Sequence, residues 1–242
     1  MPLTVLLATD ESDRWDGLDS AMRSMRLSVR RVGTGEEAVQ LHDRVGPGLV
    51  LVSTDLPDVH ALDVCRRIRR GSDVPLIVLT TDNTDLDQVL ALELGADDVV
   101  SARCDAEELQ ERVKAALRRG TGVEVRRARG EVLDFGSIVI DRTARTLVTD
   151  GNIHELTPME TELLWMLAQH AGEVVESGEI LEAVWDYPRD LKTRTVDVHI
   201  GRLRKKLGED GRNPRRIITV RSVGYRFEPP EQAEDAGSGS AA

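Results

Sequence analysis

The chain has 242 residues and a formal net charge of −11, with 31% charged and 40% hydrophobic residues. This length suits one or two domains that each bury a core, and no apolar run reaches the roughly eighteen residues of a membrane span. The N-terminus lacks a basic region and a cleavage-like site, so we expect a cytoplasmic protein without a membrane partner. Cys65 and Cys104 are far apart and predict neither a disulfide framework nor a metal site.

Apolar runs alternate with helical patterns through the first half of the chain. The runs lie at residues 3–8, 27–32, 49–53, 75–80 and 97–101. This order predicts an α/β fold of the (βα)5 type, a flavodoxin-like, doubly wound parallel sheet. Such a sheet binds ligands outside the carboxyl ends of its strands. The positions of interest at those ends are Thr9, Asp10, Ser53, Thr80 and Ala102.

Composition also predicts the domain boundaries. Glycines and arginines interrupt the periodic patterns at residues 120–131, which we interpret as a linker. A regulatory domain at 1–119 would precede it, and a second domain at 132–228 would follow. The last residues, 229–242, are acidic, small and rich in Gly and Ser, which predicts a disordered tail.

A basic segment stands out in this acidic chain. Between Arg189 and Arg226 there are twelve basic residues and four acidic ones. If residues 194–207 form a helix, one stripe is apolar: Val196, Ile200, Leu203 and Leu207. Another face would then carry Thr195, Val198, His199 and Arg202. Concentrated positive charge on such a helix is typical of a duplex DNA reader, and the alternative is a solvated amphipathic helix.

A basic hairpin follows this helix. Residues 217–221 and 225–227 have strand character and flank a turn, so helix and hairpin together predict a winged helix. In that arrangement the helix enters the major groove and Arg221 on the hairpin reaches the minor groove. We predict that Arg202 bonds base edges, with Thr195, Val198 and His199 beside it. The other predicted DNA contacts, mostly to phosphates, are Arg194, Arg204, Lys205, Thr219 and Tyr225.

The two halves resemble the OmpR/PhoB-type response regulators. The segments LTPMETELLWML and TRTVDVHIGRLRKKL carry the likeness to their DNA-binding domain, and VCRRIRR and GADDVV carry the likeness to their receiver domain. The resemblance implies a transcription regulator, not an enzyme, that binds direct-repeat half-sites of double-stranded DNA as a homodimer. It also implies a short antiparallel sheet at 133–156, helices at 157–169 and 180–185, and a loop at 186–193 that relatives often turn toward RNA polymerase. Thr157 and Glu160 fit a capping box at the start of the first of these helices.

The predicted receiver departs from the family pattern where its chemistry occurs. The resemblance implies an acceptor Asp after the third strand, an acidic pair that holds Mg²⁺ after the first and a Lys after the fifth. Here those places hold Ser53, Thr9 with Asp10, and Ala102, while the aromatic switch position is Val99. A Ser hydroxyl is neither an ionised nucleophile nor a strong Mg²⁺ ligand at neutral pH. We therefore expect an atypical receiver without Asp phosphorylation or resident cofactor and with weak Mg²⁺ binding.

Three functions remain open at this point. The first is a DNA-binding regulator whose receiver dimerises, or docks a partner protein or an unidentified small-molecule effector. The second is a phosphorelay output protein that uses Asp10 or Asp55 as an unorthodox acceptor, although a solvated loop residue is the preferred interpretation of Asp55. The third is a module that sequesters a partner.

The resemblance also implies a dimer surface. Receivers of this class pair through their fourth helix, fifth strand and fifth helix. The charged positions that match are Asp97, Asp98, Glu108, Arg112 and Arg119, with Gln88 in place of a basic partner. Apolar contacts would come from Leu90, Leu94 and Val113, because exposed ion pairs contribute only about 0 to 1 kcal/mol each.

Overall fold

The computed structural model describes residues 3–10, 16–81, 85–101, 104, 106–120 and 131–230. Its N-terminal half contains a parallel sheet in the order β2-β1-β3-β4-β5, which confirms the predicted fold class. The strands are β1 (Thr4–Ala8), β2 (Ser28–Val32), β3 (Leu49–Ser53), β4 (Leu76–Thr80) and β5 (Asp98–Ser101). Strands β3 and β4 are buried along their whole length, as their continuous apolar runs predict for a sheet covered on both faces.

Five helices cover the two faces of this sheet. They are α1 (Asp16–Ser24), α2 (Gly35–Val45), α3 (Ala61–Arg69), α4 (Asp85–Glu93) and α5 (Ala106–Gly120). Helices α2, α3 and α4 bury apolar side chains against one face, and α1 and α5 do so against the other. The carboxyl ends of the strands are left at one edge, where the sequence predicted the functional positions.

The C-terminal half is a winged helix behind a small sheet. The antiparallel sheet contains β6 (Val132–Asp134), β7 (Ile138–Asp141), β8 (Thr146–Thr149) and β9 (Asn152–Glu155). The later elements are α6 (Pro158–Gln169), β10 (Val174–Glu176), α7 (Ser177–Ile180), α8 (Thr195–Lys206), β11 (Ile217–Val220) and β12 (Gly224–Phe227). The predicted short sheet, recognition helix and hairpin are therefore all present.

Local chemistry explains where these elements begin. The Thr157 side chain accepts from the Glu160 N–H and the Glu160 carboxylate accepts from the Thr157 N–H, which confirms the predicted capping box. The second helix was predicted at 180–185, but α7 begins at Ser177 and continues as a π-helical turn over Leu181–Trp185. Strand β10 ends at Glu176, so α7 begins at the residue directly after the strand.

Strand β10 was not predicted. It is a three-residue strand that pairs with β12, and such a short segment has no clear alternation of its own. Gly224 makes the pairing possible, because a Cβ at this position would lie 1.9 Å from the backbone oxygen of Val175. The wing hairpin, β11 and β12, is thus part of a three-stranded sheet with β10 at its other edge.

The two halves pack against each other through α8, which lies on α4. Val198 of α8 joins the apolar core formed by α2, α3 and α4. Of the predicted linker and tail, residues 121–130 and 231–242 lie outside the described residues. None of the helices in the described ranges is long and apolar enough to cross a bilayer.

Candidate DNA-recognition surface and receiver pocket

Helix α8 has the two faces that its sequence predicts. Its apolar stripe lies in the core of the C-terminal domain. The predicted reading face is also buried, however: the exposed fractions are 2% for Thr195, 6% for Val198, 0% for His199 and 8% for Arg202. The prediction that this face is presented to a partner is therefore wrong for this conformation, because the N-terminal domain covers it.

Arg202 is held by the N-terminal domain. Its Nη2 donates a hydrogen bond of 3.0 Å to the backbone oxygen of Ala96, and burial lowers its pKa from the ordinary value. One turn away, Lys205 Nζ forms an ion pair of 2.9 Å with Glu93 Oε2 of α4. The side chains predicted to contact a base edge and a phosphate thus both bond the other domain.

A second set of contacts joins the start of the loop at 186–193 to β5 and α5. The Tyr187 hydroxyl donates to Asp98 Oδ2 and accepts from Arg112 Nη1 at 2.6 Å. The Arg112 guanidinium also lies 4.2 Å from the centre of the Tyr187 ring. Burial and the Asp98 carboxylate raise the pKa of Tyr187 well above its ordinary value, so the phenol stays a donor. Beside it, Trp185 Nε1 donates to the backbone oxygen of Asp97 at 3.4 Å.

The wing is tied to α8 by residues that were predicted to contact phosphates. Arg204 Nη2 donates to the Ile217 oxygen at 2.6 Å and to the Thr219 hydroxyl at 2.8 Å. Arg221 lies exposed in the turn of the wing. Their DNA contacts remain predictions, and the geometry adds a structural role for Arg204.

Asp197 is a residue that sequence reasoning missed. Its carboxylate accepts from the Tyr225 hydroxyl at 2.5 Å and pairs with Arg194 at 3.3 Å. The available signal was spacing, because Asp197 lies three residues after Arg194 and off the apolar stripe. It holds two of the predicted DNA contacts, Arg194 and Tyr225, in position.

The strand-end positions of the receiver do come together. Thr9, Ser53 and Thr80 are buried at the ends of β1, β3 and β4, and Asp10 is half-buried beside them. Ala102 lies outside the described residues. Arg31 of β2 was not predicted to take part, yet its Nε donates to the Thr9 hydroxyl at 3.1 Å.

Asp55 is not the solvated loop residue that we preferred. It is half-buried, its backbone N–H donates to Ser53 Oγ at 3.2 Å, and its carboxylate accepts from the Thr81 hydroxyl at 3.1 Å. It lines a cavity of about 180 Å³ whose other walls include Thr80, His60 and Val99. No group of three or more His, Cys, Asp and Glu side chains suited to a metal occurs within the described ranges.

Parts of the predicted dimer surface are already engaged. Arg112 forms ion pairs with Glu108 at 2.6 Å and with Asp98 at 3.1 Å. The Asp97 carboxylate turns inward and bonds Arg69 Nη2 at 2.5 Å and the Leu76 N–H at 2.9 Å, and burial raises its pKa despite Arg69.

The apolar part of that surface needs a correction. Val113 lies wholly inside the receiver core, so it cannot supply contact area to a partner. Leu90 is exposed, and Leu94 and Gln88 are half-buried. The Arg119 side chain is outside what the structure describes.

Two protein-family models match the chain. "Response regulator receiver domain" matches residues 5–114, and "Transcriptional regulatory protein, C terminal" matches residues 151–227. The chain is 36% identical to the transcriptional regulatory protein AfsQ1 of Streptomyces coelicolor over 96% of its own length and 100% of that protein. It is 37% identical to the sensory transduction protein RegX3 of Mycolicibacterium smegmatis, with 93% and 99% covered.

Solved structures agree in fold. The response regulator DrrB of Thermotoga maritima, an OmpR/PhoB homologue, aligns with a TM-score of 0.50 and 30% identity over 94% of this chain and 100% of that one. A mutant of RitR aligns with a TM-score of 0.69 and 24% identity over 94% and 99% of the two chains, which supports the fold alone.

Proposed function

Since the chain belongs to the OmpR/PhoB-type response regulators, we propose that it is a sequence-specific DNA-binding transcription regulator that acts as a dimer. Two copies of a winged helix read two half-sites about one helical turn apart with more specificity than one copy reads one. Arg202 is the proposed base contact, and Arg221 is the proposed minor-groove contact.

We further propose that the receiver works without Asp phosphorylation. The observation that carries this is Ser53, which is fully buried at the end of β3 in the place of the acceptor. Its hydroxyl accepts a hydrogen bond from Asp55 and offers no carboxylate nucleophile. At the metal position, the Thr9 hydroxyl accepts a hydrogen bond from the Arg31 guanidinium. The positive charge of this guanidinium would repel a metal cation. The donor set therefore does not fit Mg²⁺.

In the proposed mechanism the domain contact holds the protein inactive. DNA cannot reach the buried face of α8 until the domains separate, so the apparent affinity for DNA falls by the fraction of chains that are open. The proposed dimer surface includes Asp98 and Arg112, which here bond Tyr187 of the same chain. Dimerisation through that surface and domain closure would therefore compete. A protein partner, or a small effector in the cavity beside Asp55 and Val99, would act by shifting this balance.

The proposed contact between the loop at 186–193 and RNA polymerase would depend on the same separation. Tyr187, at the beginning of this loop, is covered by α5 in the closed chain. Activation of transcription would then need an open chain as much as DNA binding does.

One observation favours the phosphorelay alternative enough to require a test. Asp55 points toward Thr81 and lines the cavity, so it is a carboxylate at the pocket edge. The experiment is selection of bound duplexes from a random library by the full chain, with and without acetyl phosphate and Mg²⁺.

We expect one direct-repeat motif whose affinity does not respond to the phosphodonor. A phosphodonor response that is lost in Asp10→Ala or Asp55→Ala would establish the alternative. The DNA-binding proposal fails if the selection yields no duplex that binds the wild type and loses its binding in Arg202→Ala. That outcome would favour a module that sequesters a partner.

A further inference from the structure

His199 is fully buried on α8 beside Val198 and Arg202, which contact the N-terminal domain, and its tautomer follows from its bonds. Its Nδ1 is 2.9 Å from the backbone oxygen of Thr195, one turn earlier in α8, so Nδ1 carries the proton and donates. Nε2 therefore carries the lone pair. This atom is buried and has no hydrogen-bond partner within the described part of the chain. The imidazole and Trp185 rings are inclined at 67° in a T-shaped contact, with the ring centres 5.1 Å apart.

The charges around this imidazole come from α3 and α6 as well as from α8. Arg202 is on its own helix, Arg69 faces it from α3, and Glu160 faces it from α6. Asp97, before β5, balances Arg69. Burial first, and the positive charge of Arg202 second, lower the pKa of His199 to about 3.

A second proton on His199 would have to go to Nε2. In the closed chain that N–H would find no acceptor, and the new charge would lie buried near two guanidinium groups. The closed chain thus accommodates only the neutral imidazole. We propose that His199 links proton uptake to separation of the two domains, so that the chain senses pH through its own recognition helix.

The direction of the effect follows from the two states. In the open chain water reaches Nε2 and the pKa of His199 returns toward the ordinary value of about 6.5. Above that pH both states hold the neutral ring and closure is unaffected. As the pH falls below about 6.5 toward 3, the open state takes up the proton first and closure is progressively lost. Between pH 7.5 and pH 5.5 the ratio of open to closed chains should rise about tenfold.

The buried carboxylates of Glu160 and Asp97 keep their ion-pair partners when the domains separate. Glu160 pairs with Lys206 at 2.6 Å inside the C-terminal domain. Asp97 pairs with Arg69 inside the N-terminal domain. Their contribution to the pH dependence of separation is therefore small compared with that of His199.

The experiment reads separation without DNA, so its outcome is independent of whether the proposed DNA-binding function holds. A cysteine replaces Val198, which is buried in the contact, and a second replaces Ser137, which is exposed before β7. A thiol reagent labels the full chain at pH 7.5 and pH 5.5, and mass spectrometry resolves each site. The ratio of the two rates cancels the pH dependence of thiol reactivity and reports opening even when open chains are rare.

With His199 present, the ratio of labelling at position 198 to labelling at position 137 should rise about tenfold at pH 5.5. In His199→Gln it should not change with pH. The matched control is His170→Gln, which alters a half-exposed histidine at the end of α6 and should leave the tenfold rise intact. A pH-independent ratio in the presence of His199, or an equal rise in His199→Gln, would overturn the proposal.

Discussion

The receiver presents two surfaces with opposite chemistry. Its strand-end pocket is built mainly from the hydroxyls of Thr9, Ser53 and Thr80. The side formed by α4, β5 and α5 lies at the β5 edge of the sheet. It carries buried charged groups that pair with each other, above all Asp98 and Arg112. The usual place of input chemistry holds a hydroxyl at the acceptor position, whereas the side that touches α8 carries buried, paired charges. Control of this protein should therefore be found at the domain contact.

The largest effect is expected where a buried charge loses its partner. Asp97→Ala leaves the nearly buried Arg69 guanidinium without a carboxylate, and this should lower the free energy of unfolding by about 3 to 5 kcal/mol. Chemical denaturation of the full chain measures it. Asp63→Ala is the control, because Asp63 pairs with Arg66 in solvent and should cost less than about 1 kcal/mol. A similar decrease in the free energy of unfolding in both variants would mean that the buried ion pair stabilises the protein no more than the exposed one.

The second-largest effect is expected in sequence-specific DNA binding by α8 when the two domains are separated. Arg202→Ala should lower the affinity for the selected duplex relative to an unrelated duplex by roughly ten- to a hundredfold, about 1 to 3 kcal/mol. The ratio is the proper measure, because losing the bond to Ala96 also eases opening. Fluorescence anisotropy titrations with both duplexes measure this ratio of affinities. Lys114→Ala, on the exposed side of α5, should leave the ratio unchanged.

The two tyrosines of the chain provide a matched pair for the closed state. Tyr187→Phe removes the hydroxyl that joins Asp98 and Arg112 across the domains, a charge-assisted bond of about 1.5 to 3 kcal/mol. Opening becomes easier, so DNA affinity should rise roughly tenfold or more. Tyr225→Phe removes a bond to Asp197 within one domain and should produce no rise. An equal rise in both variants would contradict a specific role for the contact at Tyr187.

The smallest effect is expected in the pocket. Ser53→Ala removes one hydrogen bond, from the Asp55 N–H, and should change the free energy of unfolding by no more than about 1 kcal/mol. DNA affinity should stay the same, which a binding titration of wild type and variant checks. If affinity changed, the Ser53 hydroxyl would itself act on α8 and the contrast between the two surfaces would fail.

Much of the fold was predictable because its signals are local. Apolar runs predicted all five parallel strands, and Thr157 with Glu160 marked the start of α6. The register of α8 followed from the spacing of Val196, Ile200 and Leu203 alone. Two features that were missed had no local signal: β10 is three residues long, and Arg31 reaches Thr9 from a neighbouring strand.

The sequence by itself determined that Thr195, Val198, His199 and Arg202 share one face of a helix, because helical periodicity operates within a few residues. Only the tertiary structure decided that this face is buried. Tyr187 bonds Asp98 from 89 positions away, and Arg202 bonds Ala96 from 106 positions away. Contacts at such separations depend on how two domains pack together, and no pattern of neighbouring residues encodes that arrangement.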